Sequence, residues 1–136
     1  MIVYTFRTFP YIDELKHKFG DVFVFSSLKK DFSNFEVLMK DQQQDVLGVA
    51  LTQGPTRQET VAINRFNKGK VSLLGDDALS LTLFDDIPIA TLPTHTFCNW
   101  TMYKIQNYIN QKDSISKLSF IHINKNDLEL LDNLSR

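Results

Sequence analysis

The sequence predicts an α/β domain built on a sheet that is at least partly parallel and covered on both faces. Three observations lead there. Apolar strand-like runs alternate with amphipathic helical stretches along the chain, the order of βαβ units. The runs Ile2–Phe6, Val22–Phe25 and 46–52 are apolar on both sides instead of alternating with polar residues, as strands between two helix layers are. Finally, 136 residues with 43% hydrophobic content and 11 phenylalanines suffice for one core without covalent staples. Residues 1–136 show neither linker nor internal repeat, so they are read as a single domain.

Each element has a local reason. Ile2–Phe6 reads as the first strand, Thr8-Phe9-Pro10 as a loop, and Ile12–Phe19 as a short helix that Gly20-Asp21 ends. Val22–Phe25 is a second strand. Asp31 or Ser33 then caps a helix whose apolar positions are Phe32, Phe35, Leu38 and Met39. After the strand 46–52, Gln53-Gly54-Pro55-Thr56 has turn chemistry, followed by an extended run at 61–63 and a basic stretch at 65–70. Residues 77–84 suggest a brief helix and 87–92 a return to extended chain. Cys98, Met102, Ile105 and Ile109 then recur at i, i+4, i+7 and i+11, the inward face of a helix ending near Gln111. Leu118–Ile123 is the last strand, with Leu118, Phe120 and His122 on one face. Asn124 or Asn126 caps a terminal helix bearing Leu128, Leu131 and Leu134.

Composition removes several functional classes. The formal charge is −1, from 15 basic and 16 acidic residues, and the basic ones are scattered, so nucleic acid is not expected as a ligand. No apolar run approaches the roughly 20 residues of a membrane span. The first residues lack a basic start and apolar stretch, and one cysteine cannot form an internal disulfide; a cytoplasmic protein is the expectation. The pairs Asp76-Asp77 and Asp85-Asp86 read as solvated turn or helix-end residues. With no His or Cys near them in ligand spacing, neither a metal nor any other cofactor is expected.

The chemistry-bearing residue is Cys98, in Thr94-His95-Thr96-Phe97-Cys98-Asn99-Trp100, where extended chain gives way to helix. Unpaired N–H groups and the positive end of the helix dipole favour a thiolate there and suit an oxyanion. Against this stands the preference of free cysteine for buried filler positions. In an open α/β sheet, loops beyond the C-terminal ends of parallel strands converge on one crevice. Gln53, Glu59, Cys98 and His122 all fall at or just after expected strand ends. That set suits a cysteine nucleophile, a histidine base and a carboxylate orienting the imidazole. Other readings stand beside each: Glu59 as a surface-loop glutamate, His122 as a satisfied core or rim residue, His95 as a competing base or loop residue, and His17 as simply exposed.

Three segments resemble the pyroglutamyl peptidase I (pyrrolidone-carboxylate peptidase) family. Glu59-Thr60-Val61-Ala62-Ile63-Asn64 is similar to its Glu-Arg-Val-Ala-Ile-Asn segment, which begins on the catalytic acid. Thr96-Phe97-Cys98-Asn99 with Tyr103 is similar to its nucleophile motif, and Phe120-Ile121-His122-Ile123 to its histidine strand. The order Glu, Cys, His and the 24-residue step from Cys98 to His122 also agree. Weaker matches are Thr5-Phe6-Arg7-Thr8-Phe9 with the loop whose two phenylalanines sandwich the pyroglutamyl ring, and Gln53 with the glutamine of a Gly-rich turn. The resemblance implies a three-layer α/β/α, phosphorylase/hydrolase-like fold with a twisted mixed sheet. It implies a cysteine omega peptidase with catalytic Glu59, Cys98 and His122, and with Phe6, Phe9 and Gln53 on a peptide bearing N-terminal pyroglutamate; a homo-oligomer is left open.

The chain also departs from that family. Only 39 positions separate Glu59 from Cys98, where the family carries an Ala-Arg-Ile-Pro-Asp-Asn segment and a longer helical region. Arg57 and Arg65 are the residues at hand to replace the missing arginine, and Pro93-Thr94 stands where the family has Ala-Gly before the nucleophile. Two alternatives therefore remain: a non-catalytic relative that binds a ligand or partner, and a thiol hydrolase acting on a different acyl substrate.

Overall fold

The structure, a computed structural model, describes residues 1–59, 62, 87–90, 97–112 and 114–133. Six strands form one sheet: β1 (Ile2–Phe6), β2 (Val22–Phe25), β3 (Val46–Leu51), β4 (Arg57–Glu59), β5 (Ile89–Ala90) and β6 (Leu118–Ile123). Their order across the sheet is β2-β1-β3-β6-β4-β5. The first four in that order run parallel, while β4 pairs antiparallel with β6 and parallel with β5. The sheet is thus mixed and mostly parallel.

Strand alternation sends the two side-chain sets to separate helix layers. One face carries Tyr4, Phe6, Phe25, Ala50 and Phe120 against α2 (Leu28–Gln42) and α3 (Phe97–Gln111), through Phe32, Phe35, Met39, Met102, Ile105 and Ile109. The other carries Val3, Leu47, Val49, Ile121 and Ile123 against Leu15 of α1 (Ile12–Phe19) and Leu131 of a C-terminal 3-10 helix (Lys125–Asn133). These are the three layers the sequence leads one to expect. Gly48 sits in the middle strand because Tyr4 and Phe120 close over it: a Cβ there would lie 2.4 Å from carbons of both rings.

The expected bounds of β1, α1, β2 and β6 match, and Gly20 ends α1 with φ +80°, a conformation glycine adopts without steric cost. Three elements differ. α2 begins at Leu28, ahead of both proposed caps; Ser27 is its N-cap residue, and Asp31 reaches back from inside the first turns to accept from the Ser26 and Ser27 N–H groups at 2.7 and 2.9 Å. Those two bonds hold its carboxyl below the usual range. The terminal helix is 3-10, and the Asn124 side chain accepts from the Asn126 N–H at 3.0 Å at its start. β4 is an additional strand, formed by residues whose composition argues for loop. The expected helix at 77–84, the run around Val61 and Ile63, both aspartate pairs, His95, Arg65 and Leu134 lie outside the described residues. Among the described residues, no helix is long and apolar enough to cross a membrane.

Candidate active site

Because β1, β2, β3 and β6 are parallel, their C-terminal ends share one edge of the sheet, and a cavity of about 440 Å³ opens there. Its wall is made by Phe6, Arg7, Thr8 and Phe9 after β1, Phe25 and Ser26 after β2, Ala50 and Leu51 of β3, Phe97 and Cys98 at the start of α3, and His122 of β6. The lining is largely aromatic and aliphatic, with a thiol, an imidazole and one arginine.

His122 is on the same β6 face as Phe120, the face turned to α2 and α3, so strand alternation aims its ring toward the helix that carries Cys98. The antiparallel register sets Arg57 opposite His122 and Glu59 opposite Phe120, which makes Glu59 the diagonal neighbour of His122 on one face. The two meet: His122 Nδ1 and Glu59 Oε1 are 2.7 Å apart, and both residues are buried. An ionised carboxylate only accepts, so against ionised Glu59 the Nδ1 nitrogen is the donor, and a neutral imidazole then has its lone pair on Nε2. Glu59 is therefore no surface-loop residue; its side chain is 1% exposed. Arg57 Nε donates to the same Oε1 at 2.8 Å, and Arg57 Nη1 donates to Thr52 Oγ1 at 3.1 Å.

Cys98 is half-buried near the start of α3 and packs against the larger core cluster. The expectation that the helix start eases its ionisation does not hold. Burial pushes the thiol up to about 11, and the Glu59 charge pushes the same way; a hydrogen bond from its own backbone N–H and the Arg57 charge oppose them without prevailing. Deeper in the core, the Tyr4 hydroxyl has no partner among the described residues, and burial followed by the Cys98 charge drives it well above its ordinary value.

Phe6 and Phe9 both reach the cavity wall from a tight turn in which the Phe9 N–H donates to the Phe6 carbonyl at 2.9 Å. The Phe6 ring also meets Phe97 edge to face at 5.1 Å, tying the β1 end to the start of α3. Gln53 is exposed and is not part of the wall; its carbonyl accepts from Asn124 Nδ2 at 3.4 Å, and Ala50 and Leu51 occupy the cavity at that strand end. His17 is exposed on α1. What the sequence reading missed is the bond of Arg57 to Glu59. The signal was the i, i+2 spacing, which puts both side chains on one face once the segment is a strand.

The chain superposes on pyrrolidone carboxyl peptidase from Thermococcus litoralis with a TM-score of 0.59 and 16% identity, over 90% of this chain and 75% of that one. For pyrrolidone carboxyl peptidase from Pyrococcus furiosus the values are 0.40 and 16%, over 90% and 79%. No protein-family model and no curated protein matches the sequence. The molecule is a three-layer α/β protein with a mixed, mostly parallel sheet. Its fold is similar to that of the Thermococcus litoralis peptidase.

Proposed function

We propose that this chain is a cysteine peptidase-like hydrolase that removes an N-terminal pyroglutamyl residue from peptides. The observation that carries the reading is the 2.7 Å contact between His122 Nδ1 and Glu59 Oε1 beside the cavity that Cys98 and His122 both line. The similarity of fold and the sequence resemblance supply the substrate class.

In this reading Cys98 attacks the acyl carbonyl of the pyroglutamyl residue. A thiol held at about 11 is protonated at neutral pH, so its proton passes to His122 Nε2 as the S–C bond forms, not beforehand. Glu59 keeps the Nδ1–H tautomer and stabilises the imidazolium that results. Backbone N–H groups at the start of α3 receive the oxyanion. Imidazolium then protonates the departing peptide amine, and water deprotonated by His122 hydrolyses the thioester. Phe6 and Phe9 offer aromatic contact to the apolar faces of the lactam ring.

The test is acid quenching during turnover of a pyroglutamyl peptide, followed by mass spectrometry. One pyroglutamyl group attached at Cys98 is the expected result; hydrolysis with no acyl group on Cys98 at any time point contradicts it. A second reading, that the chain binds such peptides without cleaving them, draws on the elevated thiol. Saturable binding without hydrolysis would favour that alternative.

A further inference from the structure

Glu59 Oε1 receives two donors. His122 Nδ1 lies 2.7 Å away and Arg57 Nε 2.8 Å away, while the far end of the guanidinium is tied to Thr52 Oγ1 at 3.1 Å. The two cationic groups differ in kind. Imidazole is charged only when protonated, whereas guanidinium always is. A carboxylate with 1% exposure is costly without a charge partner, and of its two donors among the described residues Arg57 is the one that provides a charge at every stage of a proton-transfer cycle. The Arg57 side chain is 36% exposed, so its own charge stays in contact with water while Nε reaches inward.

We propose that Arg57 is a positioning residue: it holds Glu59 ionised and fixed against the ring, so that His122 meets the Cys98 thiol as an uncharged base. The catalytic meaning of this role rests on the function proposed above. Sharing of Oε1 divides the carboxylate's attraction between two donors, and the guanidinium charge adds a direct repulsion to any imidazolium. Both effects disfavour the imidazolium, while the pull of the same charge on the Cys98 thiolate is outweighed by burial. The protonated thiol already described is what such a base requires, since the proton must still be on sulfur when substrate arrives. Arg57 also joins the ends of two strands, because Thr52 follows β3 and Arg57 begins β4.

The ionisable groups near the imidazole come from several elements. Glu59 and Arg57 belong to β4, Cys98 to α3, and Arg7 lies on the cavity wall after β1. Tyr4 of β1 interacts electrostatically with Cys98, and Asp127 of the 3-10 helix accepts from Thr56 Oγ1 just before β4. Of these, only Arg57 shares the oxygen that the imidazole uses.

The experiment compares the full chain with Arg57→Gln, Arg57→Met and Arg57→Lys, each confirmed as folded by circular dichroism. The protonation midpoint of His122 is followed by NMR and the pH profile of kcat/KM by hydrolysis of a pyroglutamyl amide. Arg57→Gln and Arg57→Met should raise the midpoint by about 0.5 unit or more and carry the acid limb of the profile with it. Arg57→Lys keeps the charge, so its midpoint should stay near the wild-type value while kcat falls several-fold through loss of the fork to Thr52. An unchanged midpoint in both charge-removing variants, or an equal shift in Arg57→Lys, overturns the proposal. If the wild-type chain hydrolyses no pyroglutamyl amide, the proposed function fails, and the NMR midpoints alone still decide the role of Arg57.

Discussion

His122 and Glu59, 63 positions apart in sequence, meet through a diagonal of the β6–β4 ladder, with Nδ1 2.7 Å from Oε1. The direct cross-strand partner of Glu59 is Phe120, whose ring is fully buried beside the pair. The geometry depends on β4 running antiparallel to β6. With Arg57 opposite His122, the antiparallel sense is what sets Glu59 beside Phe120 and not beside Asn124.

Replacing Glu59 with Gln keeps the size of the side chain but removes its charge. An amide offers the ring either an oxygen or a nitrogen, so the Nδ1–H tautomer is no longer enforced. Activity of Glu59→Gln on a pyroglutamyl amide should fall at least about 10²-fold in kcat/KM, mostly in kcat. A change confined to KM would remove the orienting role.

The Cys98 thiol, pushed up to about 11, makes reactivity and stability both depend on alkaline pH. Alkylation by iodoacetamide should be slow at neutral pH and climb steadily as pH rises toward that value. For stability, the folded thiol holds its proton more tightly than the roughly 8.5 of an unfolded cysteine. The stabilisation is complete below the unfolded value and is lost as pH rises through the folded one, so the denaturation midpoint should drop across that window. The drop should be reduced in Cys98→Ala. Alkylation that already levels off below pH 8 would contradict the burial argument.

Gly48→Ala should destabilise the domain by at least about 2 kcal/mol in urea denaturation, because the new Cβ would meet ring carbons of Tyr4 and Phe120 at 2.4 Å inside a packed core. Gly54→Ala is the control. Its nearest neighbour would be Thr52 Oγ1 at 3.8 Å, and the change should stay within about 0.5 kcal/mol.

Tyr4→Phe should leave stability equal or raise it by about 1 kcal/mol. The hydroxyl is fully buried with no partner among the described residues, so deletion removes a desolvation cost and no hydrogen bond. A loss of more than about 1 kcal/mol would reveal a partner for that oxygen.

Much of the fold was legible because its strands are written in strong local signals. The bounds of β1, β2 and β6 follow from apolar runs flanked by turn residues, and α1 from Gly20 at its end. β4 was not legible, since Arg57-Gln58-Glu59 has the composition of a loop and becomes a strand only by pairing with β5 and β6. The start of α2 was missed for a related reason: Asp31 is an N-terminal capping group, but it acts backward from inside the helix on Ser26 and Ser27. Cys98 shows the limit of local reasoning most clearly. Its place at a helix start is written in the sequence, whereas the burial and the Glu59 charge that outweigh that place arise only when distant segments pack. Gln53 reached its strand end as expected and then turned to solvent, because the two residues before Thr52 already fill the cavity wall.

The most direct measurement of the central claim is release of fluorophore from a pyroglutamyl-linked amide by the wild-type chain and by Cys98→Ala, at equal concentrations of folded protein. The account predicts turnover by the wild type and its loss by at least about 10³-fold in Cys98→Ala. No turnover by the wild type, or turnover that survives in Cys98→Ala, would contradict it.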